Sequence, residues 1–201
     1  CAYKLQQASS YDLAIVDVVT HKVRKLTEEK DPQQNWDVIG FSPDNKILYA
    51  NRTSVGNDDG DVYAVDVASG RQTNLTAHDG KELNIGTDIS SDGRTVLLTS
   101  NRKGGYQNAA LLDVATRRLT WATDTQWEVT SGSFSPNGKH FTYAINADGR
   151  TTLHRADRRS LRSTTLKLPP GVNTVVSPQH FSPDSRTILV QHEALNTPND
   201  L

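Results

Sequence analysis

The 201 residues are 35% hydrophobic and carry 22 basic against 23 acidic side chains, a balance with no global pull toward nucleic acid or an anionic membrane surface. No run approaches the roughly 18 uninterrupted apolar residues of a membrane-spanning helix. The single cysteine, Cys1, excludes an internal disulfide and a multi-cysteine metal site.

In chain order, Cys1 stands where lipoprotein processing would leave it. Ala2-Tyr3-Lys4-Leu5 reads directly as strand, however, which leaves no tether between a lipid anchor and the fold. A second strand ends at Asp17 and a third at Leu26-Thr27, so the first unit, 1–27, is a partial one that lacks its innermost strand. The next unit, 36–76, is complete. Trp36 to Phe41 is a strand and Ser42-Pro43-Asp44-Asn45 a tight turn, with Pro43 fixing φ and Asn45 tolerating the left-handed conformation. Lys46 to Asn51 returns, a polar loop follows, Asp61 to Asp66 is the third strand, and a turn containing Gly70 leads to a fourth ending at Leu75-Thr76.

The same order recurs in 83–123 and 127–166, and in part in 175–201, which is expected to supply two inner strands. Phe41, Ile89, Phe134 and Phe181 lead the four Ser-Pro-Asp-Gly-like turns at spacings of 48, 45 and 47 residues; Pro136 and Pro183 occupy the position of Pro43. Asp17, Asp66, Asp113 and Asp157 keep phase with them, each followed three residues later by a hydroxyl (Thr20, Ser69, Thr116, Ser160). Nine residues after each Asp comes Leu26, Leu75, Ala122 or Leu166, three of them followed by Thr. An Asp at a bend accepts local N–H bonds and reaches a nearby hydroxyl, so these four are expected to be structural turn residues, not a ring of metal ligands.

Ile47-Leu48-Tyr49-Ala50, Val96-Leu97-Leu98 and Ile188-Leu189-Val190 are continuous apolar runs, which predict strands covered on both faces. Four short antiparallel strands per unit, repeated at a period in the forties, specify an all-β fold, the β-propeller. The whole of 1–201 is expected to be one propeller segment of about three full blades and two partial ones, an arc of a larger ring.

Strand, Ser-Pro-Asp-Gly, strand, Asn-Arg, loop, strand ending in Asp and strand ending in Leu-Thr resembles the propeller repeats of TolB and of the prolyl oligopeptidase and dipeptidyl peptidase IV serine peptidases. Phe41-Ser-Pro-Asp-Asn with Asn51-Arg52, and Ser91-Asp92-Gly93-Arg94 with Asn101-Arg102, carry the resemblance best. It implies a non-catalytic propeller that gates or orients peptide substrates for a separate α/β-hydrolase domain, with that domain and the peptide as partners and no cofactor. The sequence leaves the compartment open, with a bacterial cytoplasm or periplasm as the expectation. No Gly-x-Ser-x-Gly elbow occurs, so the chain alone is expected to be inactive. The alternative is a TolB-like stand-alone propeller that binds a protein or glycan. Glu28-Glu29 lies in an inter-blade connection and takes no substrate-binding role from the peptidases.

Other motifs are weaker. The six histidines lack metal-ligand spacing, and Asn57-Asp58-Asp59-Gly60-Asp61 lacks the order of a calcium loop. Arg150, Arg155, Arg158, Arg159 and Arg162 are expected to form a basic outer rim, with a docking surface for phosphates or an acidic partner as the second reading; the stretch lacks the aromatic residues of a single-strand stacking platform, and no nucleic-acid partner is expected. Trp36, Trp121 and Trp127, near blade connections, are expected to pack in the core.

Overall fold

The computed structural model describes residues 1–6, 11–175, 180–194 and 197–200. Among them there are eighteen strands and no helix, hence none long and apolar enough to cross a membrane. The chain divides into two compact units, residues 1–86 and 87–201.

The first unit opens with β1 (Ala2–Gln6), β2 (Tyr11–Val16) and β3 (Val23–Lys25), three antiparallel strands with β2 in the middle. The meander β4 (Gln34–Phe41), β5 (Ile47–Ser54), β6 (Gly60–Asp66) and β7 (Gln72–Asn74) follows. A single parallel bridge, Tyr11 to Asn35, ties the two blades into one seven-stranded sheet. Leu13, Leu26, Trp36, Leu48, Ala50 and Val65 form the core. Trp36 is only 1% exposed and meets the edge of Tyr63 at 5.1 Å between ring centres.

Strand β8 (Asn84–Ile89) runs across the boundary and pairs with β9 (Thr95–Ser100), which is followed by β10 (Asn108–Asp113) and β11 (Leu119–Trp121). The second unit continues with the four-stranded meander β12 (Glu128–Phe134), β13 (His140–Ala147), β14 (Arg150–Asp157) and β15 (Ser163–Thr165). Its core joins Leu97, Ala109 and Leu111 to Val129, Phe134, Phe141 and Tyr143. Strands β9 and β10 are buried at consecutive positions, so both faces are covered, as their continuous apolar runs require. Each complete blade is thus a four-stranded antiparallel sheet, and the fold is all-β and propeller-like.

Two expectations need correction. The last sheet starts at Val172, not Val175, and holds three strands, β16 (Val172–Val175), β17 (Val190–Ala194) and β18 (Thr197–Asp200). Its apolar run does not match those of β5 and β9: Leu189 lies outside β17 and is 50% exposed, so apolar continuity did not mean double coverage there. Part of the inner strand expected at the start of this unit, residues 176–179, lies outside the described residues.

Candidate binding cleft

The repeated turns build their own geometry. Asp17, Asp66, Asp113 and Asp157 each accept the N–H of the residue three positions on, Thr20, Ser69, Thr116 and Ser160, at 2.7 Å. The last three also accept that residue's hydroxyl at 2.6 to 2.8 Å. The backbone bond chiefly holds Asp17, Asp113 and Asp157 below the usual carboxylate range; for Asp66 the Ser69 hydroxyl comes first. Each carboxylate is therefore engaged by its own turn. In the other turn, Ser42 Oγ donates to Asp44 Oδ1 at 2.6 Å and accepts the Ile47 N–H at 3.0 Å, with Pro43 between them. Ser135 with Asn137 around Pro136, and Ser182 with Asp184 around Pro183, repeat the bond at 2.8 and 2.6 Å. The closing residues Asn45, Gly93, Gly138 and Ser185 all have φ between 57° and 70°. Among the described residues no group of three or more His, Cys, Asp or Glu is placed to hold a metal ion.

The five arginines do not form one patch. Arg158 Nη2 bonds both oxygens of Asp92 at 3.0 and 3.1 Å and Thr95 Oγ1 at 2.8 Å, with its guanidinium 5.5 Å from the centre of the Phe134 ring. Arg150, Arg155, Arg159 and Arg162 are exposed, but alternation along β14 sends Arg150 and Arg155 to opposite faces. Trp127 is 47% exposed, against the expectation of core packing, because it precedes β12 on an inter-blade loop whose neighbours are also exposed.

Two polar clusters in the first unit escaped the sequence reading. Glu29 accepts Arg52 through both oxygens at 2.8 and 3.0 Å and the Trp36 indole N–H at 2.9 Å. Burial pushes its carboxyl up, but these donors outweigh it and hold the group below its usual range. His78 lies between two carboxylates, Nε2 3.0 Å from Asp59 and Nδ1 3.2 Å from Asp61. Burial favours the neutral ring, yet the bond to Asp59 and the charge of Asp61 prevail and raise its pKa. Both clusters close on themselves and stabilise the connections between strands.

The second unit holds a more open arrangement. Asp88 and Ile89 end β8, Phe134 ends β12, and Phe181 stands at the same repeat position before β17. With Ser91, Ser135, Pro136 and Pro183 of the adjoining turns they line a cleft of about 590 Å³. Asp88 Oδ2 accepts the Phe134 N–H at 2.7 Å and Oδ1 the Ile89 N–H at 2.8 Å. Desolvation among the apolar walls nevertheless raises its pKa to about 6. Among the described residues no cationic side chain offsets that burial.

The positions one residue before Ile89, Phe134 and Phe181 are Asp88, Ser133 and His180. Ser133 Oγ lies 3.4 Å from His180 Nδ1, the composition of a nucleophile and its base. The pair is closed to substrate, since Ser133 is 2% and His180 3% exposed and His180 Nε2 lies 2.8 Å from Thr142 Oγ1. The cleft therefore presents a carboxyl, two phenyl rings and two prolines, a surface for binding.

No protein-family model and no curated protein sequence matches the chain. Solved structures do. TolB from Acinetobacter baumannii superposes with a TM-score of 0.72 at 21% identity, over 98% of this chain and 48% of that one. Prolyl oligopeptidase B from Galerina marginata gives 0.75 at 11% identity, over 98% of this chain and 29% of its own. Dipeptidyl peptidase 4 from Porphyromonas gingivalis gives 0.66 at 17%, over 94% and 27%. The chain thus spans about half the length of that TolB and under a third of either peptidase. What all three share with it is the blade, and the chain is folded as a segment of β-propeller similar to TolB and to the propeller domains of the prolyl oligopeptidase group.

Proposed function

We propose that this chain acts by binding, as a non-catalytic propeller segment that receives a peptide, free or as an exposed stretch of a protein, in the cleft at the ends of β8 and β12. The observation that carries the reading is the cleft itself: apolar rings and prolines, at strand ends, around one carboxyl that no described cationic side chain neutralises. Fluorescence anisotropy with acetylated, fluorescein-labelled octapeptides tests it; saturable binding is expected, and a flat response across a varied panel overturns it.

A second, more specific reading makes the segment the substrate-gating propeller of a serine oligopeptidase with an α/β-hydrolase domain. Its support is the likeness to two peptidase propellers across 94% and 98% of the chain. Treating the intact native protein with a fluorophosphonate probe separates the two. A labelled serine outside these residues favours the gate; absence of label in a protein that binds peptide favours the stand-alone, TolB-like binder.

A further inference from the structure

We propose that the cleft is a subsite for one basic side chain, arginine or lysine, of the bound peptide, with the Asp88 carboxylate as counter-ion and the Phe134 and Phe181 rings as walls. The proposal rests on the peptide-binding reading above and names the residue class that the site selects.

The argument is one of charge and shape. A carboxylate has about four acceptor positions, and backbone N–H groups take two of those on Asp88. Asp88 lines a cleft whose other side chains include no cation and carry donors only at Ser91 and Ser135, the latter bonded to Asn137, so an ionised Asp88 keeps much of its desolvation cost until a cation enters. An ammonium or guanidinium supplies that charge, and its stem and planar head suit phenyl and proline walls, by contact with the ring faces and by burial of methylenes. A carboxylate ligand would be repelled, and a neutral polar one would leave the charge of Asp88 uncompensated.

The neighbouring charges are compatible with this. Arg158 stands against the Phe134 ring, but its charge is matched by Asp92. His180 precedes Phe181, stacks on it at 5.0 Å, and turns its ring nitrogens to Ser133 and Thr142. Among the described residues lining the cleft, Asp88 is thus the one left with a charge to be answered. At pH 7, above its value of about 6, it is largely ionised and ready for a cation.

The experiment uses an acetylated, amidated, fluorescein-labelled alanine heptapeptide whose central residue is arginine, lysine, citrulline or norleucine, titrated with the unaltered protein at pH 7. Arginine and lysine peptides are expected to bind about 10- to 100-fold more tightly than the citrulline peptide, the usual range for a charge-assisted bond. Asp88→Asn should abolish the difference. Because that variant also loses one acceptor for a backbone N–H, the arginine-to-citrulline ratio on the unaltered protein decides the matter even if the variant does not fold. Equal affinity for all four peptides overturns the basic subsite while leaving peptide binding intact. Absence of binding by any of them overturns both.

Discussion

The second blade, β4 to β7, and the fourth, β12 to β15, share a backbone and differ in how the last strand is fastened. In both, an N–H just after the last strand bonds back to the third: Leu75 to the Val62 carbonyl, and Leu166 to the Leu153 carbonyl, each at 2.8 Å. The second blade adds a side-chain latch. Thr76 Oγ1 accepts the Val62 N–H at 2.9 Å and donates to Asp61 Oδ1 at 2.6 Å. The same latch joins Thr27 to Asp12 and Thr123 to Asn108. In the fourth blade the two positions hold Thr152 and Lys167, so both halves are missing together. The backbone register of a blade therefore does not depend on the latch; what the latch adds is the fastening of a strand end that would otherwise fray.

Removing the carboxylate tests this most severely. Asp61→Ala leaves Thr76, Asn74 and His78 without their shared acceptor and should cost about 2–4 kcal/mol in urea unfolding, since it strands several polar groups at once. Thr152→Ala, at the equivalent and exposed position, should cost about 0.5 kcal/mol or less. Equal losses would mean that the latch is incidental.

Transplanting the latch is the converse experiment. Thr152→Asp with Lys167→Thr should gain about 1 kcal/mol together and little singly, because each half needs the other. A double-mutant cycle by chemical denaturation reads the coupling, and strict additivity would show that the fourth blade cannot form the bond.

How much of this could be read from the chain follows from the reach of each interaction. The Asp66 and Ser42 turns close within five residues, so their bonds are written in adjacent letters. The threonine after Leu75 was visible as a repeat feature, but its partner Asp61 lies fifteen residues back and changes to Asn108 in the next blade, which hides the pair. The cleft was less legible still. It depends on residues about a blade apart, and the sequence landmark was the aromatic or apolar residue before each turn, whereas the chemistry sits one position earlier, at Asp88. Trp127 misled for the opposite reason: size suggested burial, and its place on a loop decided exposure.

The connection that follows the second blade and the fourth blade itself should also respond to pH in opposite directions. His78, raised by its carboxylates above the ordinary value of 6.5, stabilises the fold fully below that value, and the contribution fades as pH rises through the folded pKa. His154 in the fourth blade stacks on Tyr143 at 4.9 Å, and burial alone lowers its pKa, so its contribution is present above 6.5 and is lost as pH falls through the folded value. Because Asp88 also titrates near 6, the His78 component is read above pH 6.5, where unfolding measured up to pH 8 should lose its fall in His78→Gln; the rising component below 6.5 should be lost in His154→Gln. Imidazole titrations by NMR that fail to bracket 6.5 in this order would contradict the assignment.

The smallest effect lies at the turn between the last two strands, where the second blade has Gly70 at φ 73° and the fourth has Leu161 at φ 59°. A Cβ on Gly70 would come within 2.9 Å of the Leu26 carbonyl oxygen, so glycine is required there by space as well as by conformation. Leu161 carries the left-handed cost, about 1–2 kcal/mol for a residue with a Cβ, yet packs against the core of its unit. Leu161→Gly removes both, and the two terms nearly cancel, so stability should move by no more than about 0.5 kcal/mol. A loss of several times that would show that packing beneath the turn, rather than the Asp157 bonds, holds the fourth blade's outer strand in place.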